Sequence, residues 1–106
     1  MNKEQTVYEA KFEWDNHKAE VNIRKHKVSF EEARTVFRDH LACIFDDETH
    51  SVNEKREIIV GHSENNRLLI VCFTEETEGT VRIFSSRPAT RKERRDYEKN
   101  TTFQIG

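Results

Sequence analysis

The sequence contains little glycine, proline or cysteine: three glycines, one proline and two cysteines among 106 residues. So few glycines leave no glycine-rich loop of the kind that cradles nucleotide phosphates, and the HExxH zinc motif is absent as well. The five histidines are spread along the chain at spacings that do not suggest a metal site. We therefore predict a protein that works without a metal or another cofactor.

The two cysteines, Cys43 and Cys72, each lie inside an apolar run. Neither has a second cysteine or a histidine at the close spacing of a zinc site. Small intracellular domains rarely use disulfides, so we interpret both residues as buried free thiols in a reducing compartment.

Long apolar segments are also missing. No stretch approaches the ~20 apolar residues that a membrane-spanning helix needs. The N-terminal segment contains no apolar signal-peptide core. These absences predict a cytoplasmic protein without membrane contact.

Charge is abundant but unevenly distributed. Lys and Arg number 18 and Asp and Glu 20, which gives a formal net charge of −2. Seven of the basic residues fall within residues 82–99 against three acids, whereas residues 46–57 hold five acids against two basic residues. Because salt screens distant charges, a local basic face can still bind phosphates. The acidic segment could equally attract a basic protein partner.

The apolar residues are grouped into compact runs, which disordered chains lack. We predict one domain over residues 1–106, with a core from about residue 8 to residue 99 and frayed ends. Residues 8–14, "YEAKFEW", alternate as a short strand. Its predicted inner face consists of Tyr8, Ala10, Phe12 and Trp14.

Two helices are predicted next. Asp15 is placed to cap a helix that runs to about His26. Ser29 and Glu32 have the spacing of a capping box, and apolar residues then recur at helical spacing, which predicts a second helix from about Phe30 to Arg38. Two short helices with thin apolar faces need a sheet to lie on.

Four β-rich segments follow: "LACIFDD" (41–47), "REIIVGHS" (56–63), "RLLIVCFT" (67–74) and "TVRIFSS" (80–86). The last three are joined by short turns, in which Asn65, Asn66 and Gly79 tolerate positive φ angles. This pattern predicts an antiparallel meander. Pro88 is expected to open a final helix. We therefore predict an α+β fold: β–α–α, a three- or four-stranded antiparallel sheet, and a C-terminal helix.

The chemistry that these residues could perform without a metal is RNA cleavage by the RNA's own 2′-OH. Such an enzyme must move two protons and stabilise a phosphorane-like transition state. Arginine suits the second task because its planar fork binds phosphate oxygens bidentately, and histidine or a carboxylate suits the first. The candidate catalytic residues are His26, His50, Arg56, Arg87 and Glu93. The candidate substrate-binding residues are Lys25, Arg67, Arg82, Arg91 and Arg95.

Structural roles are open for several of these residues. Lys25 and His26 end a helix, where cations interact favourably with the helix dipole. Arg56 could pair with Glu54 or Asp47, Glu93 could serve as a base or hold an arginine, and the arginines of the last helix could form a solvated face. Trp14, Phe45, Phe73 and Phe84 are assigned to the core rather than to RNA stacking.

Three ordered motifs extend this interpretation: "FEWD..K...N..KH.VSFEEA..VF.D", "HS..E.R...VGHS...RLL.V.FT" and "RI.S.RPA...E...YE". Together they resemble the BrnT toxins of bacterial type II toxin–antitoxin modules over roughly residues 12–99. The family pattern falls on six of the candidate residues, namely Lys25, His26, His50, Arg56, Arg87 and Glu93. Three positions depart from it: Lys27 replaces the usual glycine, His40 follows Asp39 where proline is common, and Ser86 precedes the arginine.

The resemblance implies a fold like that of RelE-type ribonucleases and a metal-independent endoribonuclease that inhibits translation. It also implies a BrnA-type antitoxin that neutralises the toxin and carries the DNA-binding segment, so that operator DNA is contacted only through the antitoxin. The expected assembly is a toxin–antitoxin heterotetramer in the bacterial cytoplasm. The rival interpretation is a non-catalytic module that binds an antitoxin or nucleic acid without cutting.

Overall fold

A computed structural model of the chain describes residues 10–77 and 79–99. The strands are β1 (Lys11–Glu13), β2 (Cys43–Asp46), β3 (Glu57–His62), β4 (Leu68–Thr77) and β5 (Thr80–Pro88), and the helices are α1 (Asn16–His26), α2 (Phe30–Thr35) and α3 (Arg91–Glu98). Short 3₁₀ turns cover Val36–Arg38 and Glu48–His50. The α+β class and the order of elements are as predicted, although Tyr8 lies outside the described residues.

The strands form one sheet in the order β1-β5-β4-β3-β2. Strands β2 to β5 are the predicted antiparallel meander, with positive φ at Asn66 and Gly79 in its turns. These four strands match the predicted antiparallel sheet, and the predicted first strand, β1, joins the sheet as a fifth strand parallel to β5, with Lys11 opposite Thr80. Parallel pairing arises because two helices and three strands separate β1 from β5 along the chain.

The two faces of the sheet carry different cores. Helices α1 and α2 cover one face, where the main core contains Phe30, Phe37, Leu69, Val71 and Ile83 among others. Trp14 packs edge-on against Phe30 at 5.8 Å, so its predicted core role is confirmed. The opposite face has a smaller core of four buried residues, Ile58, Val60, Leu68 and Ile70. Since Ala89 and Tyr97 pack only against this smaller core, α3 covers one part of the face and leaves the rest open.

The predicted capping box at Ser29–Glu32 is only half formed, and a complete one forms at another Ser/Thr-x-x-Glu sequence. Ser29 Oγ accepts a hydrogen bond from the Glu32 N–H at 3.0 Å, but the Glu32 carboxylate turns away to Ser63 and Arg67. The complete capping box forms instead between Thr90 and Glu93 at the start of α3. Pro88 therefore does not open the helix; it ends β5, because the ladder continues through the Ala89 N–H to the Leu68 carbonyl.

The first two helices differ in how they end. Asp15 caps α1 as predicted, accepting from the Lys18 N–H at 2.9 Å. Lys27 closes α1 with φ of 60° and ψ of 34°, the left-handed conformation that favours glycine. The lysine at this position therefore strains the turn, as the departure from the family pattern predicts. Helix α2 passes into a 3₁₀ turn at Val36 rather than continuing as α-helix to Arg38.

A buried asparagine fastens α1 to β5. The Asn22 amide donates to the carbonyls of Val28 and Ser86, and its oxygen accepts from the Ser86 N–H at 3.1 Å. The cysteines are free thiols as predicted. The prediction that both are buried was wrong: Cys43 is exposed because it begins the edge strand β2, and Cys72 is half-buried. In the described ranges, no helix has the length and apolarity to cross a bilayer.

Candidate functional site

The open part of the smaller core's face forms a cleft of about 670 Å³. Its floor is the sheet around Ile70, Cys72 and Ser85, and its walls are the end of α1 and the loop after β2. The polar and charged side chains that line it include His26, Asp46, Asp47, Glu48, His50, Ser86 and Arg87. Three predicted catalytic residues, His26, His50 and Arg87, are therefore brought together from three separate parts of the chain.

Arg87 is held rigidly at the edge of this cleft. Its Nη1 and Nη2 donate to the two oxygens of Glu93 at 2.8 and 2.9 Å. Glu93 is fully buried and also accepts from the Thr90 N–H at 2.8 Å. The hydrogen bonds that Arg87 donates to Glu93 raise the pKa of Arg87 further above its ordinary value. A bidentate pair uses two of the five N–H donors of a guanidinium, so Arg87 can still bind an anion.

His50 is oriented by a buried carboxylate. Its Nδ1 lies 3.0 Å from Asp47 Oδ2, in the 3₁₀ turn that follows β2. Asp47 is buried, whereas 63% of the His50 side chain is exposed to the cleft and solvent. A carboxylate that accepts from Nδ1 selects the tautomer in which Nε2 carries the lone pair. The pair therefore presents Nε2 for proton transfer.

A second groove, of about 210 Å³, continues from the cleft. The two share His26 and Ser85 as lining residues. The second groove is also lined by His17, Lys18 and Lys25. The predicted phosphate ligand Lys25 thus lies beside the cleft on the exposed side of α1.

Arg56 reaches the same region from β3's start. Its guanidinium lies 3.9 Å from the centroid of the Phe84 ring, and its Nη2 is 3.5 Å from Glu54, one of the two predicted partners. Burial raises the pKa of the Cys72 thiol, while the nearby charges of Arg87 and Arg56 act in the opposite direction. Both arginines therefore lie on the cleft side of the sheet, within electrostatic reach of one thiol.

The structure does not bring the other predicted ligands into the cleft. Arg67 binds Glu32 at 2.6 Å and the Lys27 carbonyl at 2.9 Å, which ties the β3–β4 turn to the turn between α1 and α2. Arg82 pairs with Glu13 of the edge strand β1 at 2.9 Å. Arg91 and Arg95 lie exposed on α3.

Sequence reasoning missed two residues of this region. Asp47 carries a local signal, since it precedes His50 by three residues within an acidic segment. The assignment of Phe84 to the core was wrong: the ring is half-buried and belongs to neither core cluster, because its position depends on a register shift between β4 and β5 that no pattern in the sequence announces. Within residues 10–77 and 79–99, no group of three His, Cys, Asp or Glu side chains is arranged to hold a metal ion.

With the geometry established, comparison with known proteins assigns the class. The family model described as "Ribonuclease toxin, BrnT, of type II toxin-antitoxin system" matches residues 14–93. The chain belongs to this family of ribonuclease toxins. The matched range includes the three predicted catalytic residues that line the cleft, His26, His50 and Arg87, and it ends at Glu93.

A solved structure agrees on the fold. The 1.1 Å crystal structure of the Brucella abortus ribonuclease toxin, BrnT, superposes with a TM-score of 0.60 at 21% sequence identity. The alignment covers 77% of this chain and 99% of that one. Comparison with curated protein sequences finds no significant match.

Proposed function

We propose that the protein is a metal-independent endoribonuclease that cleaves RNA through attack of the 2′-OH and thereby inhibits translation. The observation that carries this proposal is a guanidinium fixed by a buried carboxylate in the same cleft as two imidazoles. Arg87 supplies a preorganised ligand for a phosphate, and His26 and His50 supply imidazoles that can transfer protons. Family membership in ribonuclease toxins supports the substrate class.

The reaction divides into two proton transfers around one displacement. His50 Nε2 takes the proton of the 2′-OH, and Asp47 stabilises the imidazolium that forms. The 2′-oxygen then attacks phosphorus, the bond to the 5′-oxygen breaks, and His26 donates a proton to that leaving oxygen. The products are a 2′,3′-cyclic phosphate and a 5′-hydroxyl. Arg87 balances the charge that accumulates on the non-bridging phosphate oxygens.

The remaining predicted residues take supporting positions in this proposal. Both oxygens of Glu93 accept hydrogen bonds from Arg87, so Glu93 positions that arginine rather than acting as a base. Lys25 on α1 and Arg91 on α3 bind flanking phosphates on either side of the cleft. Arg56 adds positive charge near the scissile phosphate. RNA association is therefore electrostatic and weakens with salt.

The direct test is cleavage of RNA by the purified protein and by Arg87→Lys. Lysine keeps the charge against buried Glu93 but lacks the planar fork, so the fold should survive while the cleavage rate falls by about 100-fold. The matched control is Arg67→Lys, which alters an arginine outside the cleft and should cleave at the wild-type rate. Loss of activity on adding EDTA would refute metal independence. Salt-sensitive RNA binding with no products would instead identify a non-catalytic binding module.

The type II class of the family implies a protein antitoxin as partner. We propose that a BrnA-type antitoxin covers the cleft, that the pair assembles as a heterotetramer in the bacterial cytoplasm, and that operator DNA is bound only through the antitoxin. The basic groove beside the cleft supports a partner that presents an acidic segment there. Co-purification with the product of the neighbouring gene, followed by mass measurement of the intact complex, tests both partner and stoichiometry.

A further inference from the structure

Phe84 occupies an unusual position in β5. Cys72 of β4 pairs with Ser85 while Phe73 pairs with Ile83, so Phe84 is an extra residue with no partner across the ladder. Such a bulge redirects side chains and is often found beside functional sites. Here it places a half-buried aromatic ring next to Ser85 in the groove that adjoins the cleft.

Two cations approach the Phe84 ring. The Arg56 guanidinium lies 3.9 Å from the ring centroid, and the Lys18 ammonium lies 5.5 Å from it. Within the described part of the chain, the buried Arg56 Nε has no hydrogen-bond partner. Contact with the ring is therefore the local interaction of that part of Arg56. The guanidinium is stacked over one face of the ring, and this stacked cationic pair, with Arg56 Nη2 also 3.5 Å from Glu54, is the Phe84–Arg56 platform.

The charge of the groove is one-sided. Among the residues that the structure describes, those lining the groove include His17, Lys18, Lys25 and His26 but no aspartate or glutamate. The cleft itself, by contrast, is lined by Asp46, Asp47 and Glu48 on its loop side. A polyanion entering the cleft is thus attracted towards the groove and repelled from the loop.

We propose that this groove is a nucleotide subsite, in which a base next to the scissile phosphate stacks on the Phe84–Arg56 platform and its phosphate is held by Lys18 and Lys25. The inference rests on the proposed function, because it identifies the substrate as single-stranded RNA whose base is unstacked from its neighbours. A ring surface flanked by cations accepts any base, since every base has a π-face. Selectivity for strandedness rather than for sequence follows.

Binding of a fully 2′-O-methylated single-stranded RNA, which cannot be cleaved, tests the subsite separately from catalysis. Fluorescence anisotropy would compare this oligonucleotide with versions carrying one abasic nucleotide at each position in turn. At one position the wild-type protein should lose about tenfold in affinity, the effect of one lost stacking interaction. Phe84→Leu should remove that position-specific penalty, and Phe84→Trp should retain it.

A second pair of variants covers the outcome in which Phe84→Leu fails to fold. Lys18→Ala should weaken binding of every RNA and lower the salt slope by about one, whereas Lys11→Ala, an identical charge change on β1, should do neither. Equal effects of these two variants would overturn the proposal, as would an abasic penalty that Phe84→Leu leaves intact. The proposal would also be overturned if Lys18→Ala and Phe84→Leu lost antitoxin binding while their RNA binding stayed unchanged. Base-dependent binding without cleavage of unmodified RNA would leave the subsite standing and refute the nuclease.

Discussion

Two bidentate arginine–glutamate pairs lie on opposite sides of the sheet. Arg67 holds Glu32 through Nε and Nη2 at 3.0 and 2.6 Å, and Arg87 holds Glu93 through both terminal nitrogens at 2.8 and 2.9 Å. In each pair the glutamate is buried and follows a capping Ser or Thr by three residues.

The surroundings separate the two pairs. Both arginines also donate to a backbone carbonyl, but Arg67 thereby joins two turns through Lys27, whereas Arg87 bonds the adjacent Pro88 and lines a cleft with two histidines. The comparison teaches that pairing alone does not make an arginine a candidate phosphate ligand. What matters is whether its remaining N–H donors lie on the side of the sheet that carries the cleft. Pairing with a buried glutamate gives rigidity in both cases but access to substrate only in the second.

The strongest way to break this comparison is to neutralise each glutamate. Glu93→Gln should lower the free energy of unfolding by about 3 kcal/mol, because Arg87 then loses its charged partner at a fully buried site. The fraction that remains folded should cleave RNA about 100-fold more slowly, since the guanidinium is no longer held in place. Urea denaturation and cleavage rates per folded molecule measure the two effects.

The matched variant is Glu32→Gln. It should lower the free energy of unfolding by about 2 kcal/mol, less than Glu93→Gln, because Arg67 is more accessible to water. Its folded fraction should cleave RNA at the wild-type rate. If both variants lose cleavage equally, the assignment of the two pairs to separate roles is wrong.

A smaller effect is expected from Asp47→Asn, which touches only the cleft. An amide no longer fixes the His50 tautomer or stabilises its protonated form, so cleavage should slow by about tenfold to 100-fold, part of the contribution of a general base. The pH–rate profile should shift in its histidine limb, a change that a purely structural role for Asp47 would not produce. Asp46→Asn, at the adjacent exposed position, is the control and should leave the profile unchanged.

The Arg67 pair should contribute to acid sensitivity. The hydrogen bonds from Arg67 hold the pKa of the Glu32 carboxyl below its ordinary value, although burial opposes this. Because the folded pKa is the lower one, the stabilisation is present above about pH 4.3 and is lost as the pH falls through the folded pKa. Unfolding free energies measured from pH 6 to pH 2 should therefore decline less steeply in Glu32→Gln than in the wild type.

The smallest effect is expected at Lys27. Glycine adopts the left-handed conformation without the penalty that a Cβ carries, so Lys27→Gly should raise the free energy of unfolding by about 1 kcal/mol. Cleavage should not change, because this turn belongs to the Arg67 side. Glu20→Gly, in the exposed interior of α1, should lower stability by a similar amount. A destabilised Lys27→Gly would show that the lysine contributes contacts that outweigh its strain.

Local patterns predicted most of the fold. Caps, apolar periodicity and turn residues located both early helices and the meander. They failed to distinguish a complete capping box from a partial one, because Ser29–Glu32 and Thr90–Glu93 have the same spacing. The Ser29–Glu32 box forms only one of its two hydrogen bonds because Arg67 binds the Glu32 carboxylate. The strand β1 was predicted, but its parallel pairing with β5 was not, because the partner lies about 70 residues away along the chain.

Local patterns likewise predicted only part of the candidate site. Arg87 stands out at a strand-to-helix corner, and His26 and His50 belong to motifs, so residue type and position sufficed for them. Arg67 has equal chemistry in an equally strong motif, but its location on the helical face follows only from the sheet. The Phe84 platform depends on a bulge that repositions one residue, which no spacing rule specifies.

The dependence of the cleft on β5 and α3 has a consequence for how the cell makes this protein. Residues 10–77 contain His26 and His50, but Arg87 and the carboxylate that steadies it come later. In the proposed mechanism, a nascent chain therefore lacks its phosphate ligand and the support of that ligand until residue 93 has emerged from the exit tunnel. The order of elements along the polypeptide would thus delay RNA cleavage until β5 and α3 have been made.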